Sequence, residues 1–162
     1  MKLLVLLLSF VLPMAALNLS QVRQAYIAAA KSEAGAKKFA SLLEPVTKDD
    51  NNKVLVAYKG CSLTLKSKHS NYLPDKISFM KEGAAYLDHA AQSDPQNIEI
   101  RMIRLSVQEN VPFIVNYRDN IDEDKAMILS RYSNAPKEVK SHVGNYVRMS
   151  ESFTKEEKAK IK

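Results

Sequence analysis

Gly83-Ala84-Ala85-Tyr86-Leu87-Asp88-His89-Ala90-Ala91-Gln92-Ser93-Asp94-Pro95-Gln96-Asn97-Ile98-Glu99-Ile100 sets the architecture of this 162-residue chain. Small residues at 83 and 90 with Leu87 between them mark one helix face that a neighbouring helix can approach closely. Pro95 cannot continue that helix, because it lacks an N–H and its ring blocks the preceding turn. The segment Asp94 to Asn97 is therefore a joint, and Ile98 opens a second helix on its far side.

Outward from this joint the pattern is helical throughout, with no convincing alternating strand. Val22, Ala25, Tyr26 and Ala29 recur at helical spacing, and Gly35 is expected to mark the break after them. Ala36, Phe39, Ala40, Leu43 and Val46 give a second stripe. Asp49-Asp50-Asn51-Asn52 supplies side-chain acceptors for the free N–H groups of a third helix near Lys53 to Ser67. That helix is apolar around much of its circumference, as a central one would be. Lys68 to Pro74 reads as a loop. Ile77, Met80, Ala84, Leu87 and Ala91 line a fourth helix, and a fifth runs from the joint to about Glu109. After Pro112, Asn120 with Glu123 has the form of a capping box for a sixth helix, faced by Ile121, Lys125, Ile128 and Tyr132. Pro136 suits the start of a seventh, with Val139, Val143, Tyr146 and Val147 on one side. Thr154 and Glu157 form another capping box before a short charged helix. Helices of about 11 to 16 residues with short loops predict stacked antiparallel hairpins.

The spacing Gly83, Leu87, Ala90, Pro95 resembles the second half of a tetratricopeptide repeat. One unit earlier, Asn52 precedes Gly60 by eight residues, as the joint residue precedes the small packing residue in that family. The resemblance implies an all-α fold of about three degenerate units, roughly residues 36 to 130, with C-terminal capping helices. Lys38 and Pro45 replace small residues of the pattern, Lys66 to Lys76 is an insertion, and Arg101 and Arg104 stand where the family places large apolar residues. Val54–Gly60, Asn97–Arg101, Arg104–Asn110 and Phe153–Lys158 are also similar to blocks in a group of small exported bacterial helical proteins with no assigned activity. That similarity transfers no functional residue.

Met1-Lys2, the apolar run Leu3 to Leu12 and the small residues Pro13-Met14-Ala15-Ala16-Leu17 have the layout of a signal peptide cleaved after Ala15 or Ala16. The run is shorter than the ~20 residues of a spanning helix. Retention as an anchor is the alternative. The expected organisation is a signal peptide at 1–16 and one domain at 17–162, periplasmic or secreted. Cys61 is the only cysteine, so an exported chain has no internal disulfide and stands on packing alone. Its place among Val54, Ala57, Tyr58 and Leu65 points to a buried, inert thiol.

The chain carries 24 Lys and Arg against 18 acids, a formal +6 that becomes +5 without Lys2. A spread excess of this size is a solvated basic surface. Its sharper reading is peripheral contact with anionic lipid headgroups or acidic glycans. Nucleic acid is not expected, since no module combining aromatic and basic residues appears.

His69, His89 and His142 stand far apart, with no ligand at metal-binding spacing beside them, so no metal or cofactor is expected. Asp119, Asp122, Glu123 and Asp124 lack the central glycine of a calcium loop and suit a helix N-terminus better. Ser62, Ser106 and Ser130 lie in no nucleophile motif, and four glycines form no phosphate loop. The chain is therefore read as a protein- or peptide-binding scaffold and not as an enzyme, with Tyr58, Tyr86 and Tyr117 as groove-facing residues. One polar stripe stands out: Arg101, Arg104 and Gln108, at spacings of three and four on an otherwise apolar helix. Two aligned guanidinium groups suit a carboxylate or phosphate ligand. They equally suit acids on a neighbouring helix, such as Glu82 or Asp88.

Overall fold

The computed structural model describes residues 17–161, so the leader at 1–16 lies outside the described residues. Among these, every regular element is helical. In chain order they are α1 (Leu19–Ala29), α2 (Glu33–Leu42), α3 (Lys53–His69), α4 (Leu73–Ser93), α5 (Ile98–Asn110), α6 (Ile121–Arg131), α7 (Lys137–Met149) and α8 (Lys155–Ala159). Short 3₁₀ turns occupy Phe113–Val115 and Tyr132–Asn134. No described helix is long and apolar enough to cross a membrane.

Local cap chemistry places most of the starts. Asn52 and Asn97 accept from the first backbone N–H groups of α3 and α5, and Thr154 with Glu157 completes the expected box on α8. The expected box on α6 is not made, because the Asn120 side chain caps nothing. Its amide donates instead to Glu123 Oε2 at 3.3 Å, and its backbone N–H donates to Gln108 Oε1 at 2.9 Å. A tertiary partner has displaced the local one.

Two further expectations are corrected. The predicted Lys68 to Pro74 loop shrinks to residues 70–72, since α3 continues to His69 and Pro74 sits in the first turn of α4. Proline is tolerated there because those N–H groups have no intrahelical acceptor. Gly35 lies inside α2 and breaks nothing; the break is at 30–32. A Cβ on Gly35 would stand 2.4 Å from the Ala28 carbonyl oxygen, so its role is close approach of α2 to α1.

The core runs through α1 to α7 as one cluster that includes Phe39, Tyr58, Leu87, Ile100, Ile103, Ile128 and Val147. α3 and α4 pack most extensively. A Cβ on Gly60 would lie 2.8 Å from both the Gly83 carbonyl oxygen and Leu87 Cγ; one on Gly83 would lie 2.7 Å from Thr64 Cγ2. The two glycines thus let two backbones touch, with Leu87 filling the space alongside. α5 is buried along ten of its thirteen residues, polar ones included. Those polar residues form the centre of the molecule's electrostatics.

Candidate functional site

α5 presents polar side chains to two different neighbours. One stripe carries Arg101, Arg104 and Gln108, as its spacing predicts, and all three are buried. They converge on Asp124, which is 0% exposed in the first turn of α6. Arg101 Nη1 and Arg104 Nη2 donate to Oδ1 at 3.0 and 2.7 Å; Arg104 Nε and Gln108 Nε2 donate to Oδ2 at 2.9 and 3.0 Å. Each carboxylate oxygen therefore receives two donors, which replace the water lost on burial.

Further donors of the two guanidinium groups are also engaged. Arg101 Nε reaches the Pro95 carbonyl at 3.0 Å and its Nη1 reaches Glu123 Oε1 at 2.6 Å. Arg104 Nη1 lies 3.4 Å from Asp88 Oδ1, which also accepts from the Tyr117 hydroxyl at 2.9 Å. The Arg101 hydrogen bond holds the Glu123 carboxyl below its ordinary range. Burial pushes the Tyr117 hydroxyl far up, with the Asp88 charge adding to it. The arrangement is a clamp between α4, α5 and α6, in which both guanidinium groups are committed to acids of the same chain. Of the two partners expected from sequence, Asp88 takes part and Glu82 does not. Asp124, read from sequence only as a helix N-terminal acid, is the hub.

The second polar set was not foreseen. Glu99, also buried, accepts from Arg23 Nε and Nη2 at 2.8 and 2.7 Å and from the Tyr58 hydroxyl at 2.7 Å. Tyr58 oxygen also lies 2.9 Å from His142 Nε2. Since the tyrosine proton is given to the carboxylate, the imidazole must donate, which places its proton on Nε2. Burial lowers the His142 pKa, with Glu99 opposing that shift and Arg23 adding to it. Burial and the adjacent Glu99 raise Tyr58 well above the ordinary tyrosine range. Tyr26 and Phe39 pack on Tyr58 with ring centroids 5.4 and 6.0 Å away. Tyr58 is thus a core residue and does not face a groove, contrary to expectation. These four polar residues come from α1, α3, α5 and α7, and nothing in their sequence spacing announces the set.

Two surface concavities among the described residues lie apart from these sets. One, of about 590 Å³, lies along α2, α3 and the N-terminal half of α4. Its apolar floor includes Ala36, Ala40, Leu65 and Phe79, and its rim includes Glu33, Lys37, Glu44 and Lys66. Tyr86 and Tyr117 are absent from its lining; Tyr86 lies under Lys48, 5.2 Å from ring centroid to Nζ. The other, of about 470 Å³, lies where Glu109, Arg118, Tyr146 and Met149 meet. There Glu109 Oε2 accepts from Ser150 and Ser152 Oγ at 2.7 and 2.8 Å. Among the described residues no group of three or more His, Cys, Asp or Glu side chains is placed to hold a metal ion. Comparison with family models, curated proteins and solved structures finds no match for this chain.

Proposed function

We propose that this chain is a non-enzymatic scaffold of the bacterial envelope or secreted space that binds a protein or peptide segment. In this reading it is a degenerate tetratricopeptide-like stack of antiparallel hairpins, about three units with C-terminal capping helices. The stacking is supported by the contact series Gly60 with Gly83 and Leu87, Thr64 with Gly83, and Ser67 Oγ with the Lys76 carbonyl at 2.7 Å. One member's residue numbers rise as the other's fall, as in a hairpin.

The observation that carries the binding reading is the α2–α3–α4 groove. It is apolar at its floor and bordered by charges of both signs. An extended segment with alternating apolar and charged side chains is complementary to such a surface. The two buried polar sets are engaged within the chain, whereas the groove lies at the surface, where Glu33 and Lys37 of its rim pair with each other at 2.8 Å and Lys66 stands over Phe79.

The experiment is a paired pull-down from envelope extract at high salt, with the chain from Leu17 as bait. One bait is wild type and the other carries Phe79→Ser and Lys66→Glu. A protein retained by the first and lost by the second supports the groove. Equal recovery on both, with equal helix content, overturns it.

A further inference from the structure

The two most exposed large apolar side chains of the described residues are neighbours: Phe113 at 84% and Ile114 at 92%. Isolated exposed leucines or isoleucines are ordinary, but adjacent ones at a loop tip signal a surface that is covered in use. The tip is held in shape. Val115 N–H donates to the Pro112 carbonyl and Asn116 N–H to the Phe113 carbonyl, at 2.9 and 3.1 Å. Asn116 takes the left-handed conformation (φ 51°), which Asn tolerates better than most residues. Both returning residues are then fastened to the helical body. Tyr117 donates to Asp88 at 2.9 Å, and Arg118 donates to the Gln108 and Glu109 carbonyls, each at 3.0 Å. A fastened base with two bare apolar side chains at its tip is a wedge.

We infer that the Phe113–Ile114 tip inserts into the headgroup and acyl boundary of an anionic lipid bilayer. Size argues against a protein in this place. A stable protein interface buries roughly 800 Å² on each partner, whereas a buried aromatic side chain supplies only about 150–250 Å². A bilayer asks for no matching surface, only protruding apolar groups and positive charge. Residues 110–118 contain no carboxylate and include Arg118, which makes no ion pair among the described residues. Met149, 77% exposed, lines a concavity with Asn110 and Arg118, which stand on either side of the tip in the chain, and Arg148 precedes it. The whole chain is basic at +6. Of the local acids, Glu109 is turned onto Ser150 and Ser152, which leaves Asp119, directly after Arg118, and Glu151 as the exposed charges opposing the contact.

The chain has no tryptophan, so Phe113→Trp places its one indole at the tip. The protein is the chain from Leu17, which holds every described helix and lacks the apolar run that would enter lipid by itself. Vesicles of phosphatidylcholine with phosphatidylglycerol should shift the indole emission of this variant to the blue, and brominated acyl chains should quench it. Emission unmoved by any vesicle overturns the inference. The pair Phe113→Ser and Ile114→Ser should weaken sedimentation with vesicles by about tenfold or more. Melting should stay unchanged, because neither side chain packs in the core. Equal sedimentation of wild type and the pair overturns it as well. Glu151→Lys should strengthen binding, most at low salt; a weakened or unchanged affinity counts against the stated orientation. None of these readouts involves the α2–α3–α4 groove.

Discussion

Arg104 holds Asp124 with two parallel hydrogen bonds, Nε to Oδ2 at 2.9 Å and Nη2 to Oδ1 at 2.7 Å, beneath the surface where α5 crosses α6. Two planar groups joined in this way fix distance and orientation together. The first turn of α6 is thereby set against the middle of α5. A buried pair of this kind costs desolvation on both sides, so its net stabilisation is modest. Losing one partner is another matter.

Asp124→Ala removes the shared acceptor of Arg101, Arg104 and Gln108 and leaves two guanidinium groups buried. The expected loss is about 3–5 kcal/mol in urea unfolding. Asp124→Asn keeps the shape but loses the charge and should fall between Asp124→Ala and wild type. A loss under about 1 kcal/mol for Asp124→Ala would mean that the cluster is solvated.

Arg101→Ala and Arg104→Ala separate the two readings of the stripe. A ligand grip predicts melting close to wild type; an internal clamp predicts a large loss in each variant. The geometry favours the large loss, because Asp124 is 0% exposed and cannot turn to water when a donor goes. Thermal melts of the two variants and of Gln108→Ala provide the check.

The parts of this fold legible in the sequence are those governed by near neighbours. The joint Asp94 to Asn97 was legible because proline and an Asn cap act within a turn. The stripe Arg101, Arg104, Gln108 was legible because helical spacing puts them on one face. Its hub was not, since Asp124 lies 16 to 23 residues from its donors and looks like any acid of a helix start. The Glu99 set was further out of reach, with partners 41 and 76 residues away. The α6 cap failed for the same reason, as Gln108 took the Asn120 backbone N–H. Local chemistry reads forward along a chain, and tertiary competition does not.

Gly83→Ala places a methyl group against the Gly60 carbonyl and the α3 backbone near Thr64, at 2.8 and 3.0 Å. Backbone cannot yield as a flexible side chain can, so the helices must part. The expected cost is about 1–3 kcal/mol, although alanine is the better helix former. Ala84→Gly, one residue on and only partly buried, is the control and should cost ~1 kcal/mol from propensity alone. If Gly83→Ala is stabilising, the close contact of α3 and α4 is wrong.

Cys61 should be chemically silent in the folded chain. Burial pushes its thiol up to about 12, so almost no thiolate exists at neutral pH. Ellman's reagent should therefore react on the timescale of unfolding and report global stability. Labelling within seconds under native conditions would show the thiol to be open.

His142 should make stability depend on pH in a defined window. Its folded pKa lies below the ordinary 6.5, chiefly through burial, so the unfolded chain binds a proton more readily than the folded one. The stabilisation is complete above about pH 6.5 and is lost as pH falls through the folded value. The groups facing the imidazole are Arg23 and Tyr26 from α1, Tyr58 from α3 and Glu99 from α5; Glu138 at the start of α7 lies 3.9 Å from Arg23. Protonation adds a cation beside Arg23, whose charge is already matched by Glu99. Glu123 acts in the same direction but in a lower window, below its ordinary 4.5. His142→Gln keeps a donor for the Tyr58 oxygen and removes the titration. Urea midpoints at about pH 7.5 and about pH 5.5 should differ in the wild type and converge in that variant. An equal difference in both proteins would assign the slope to another group.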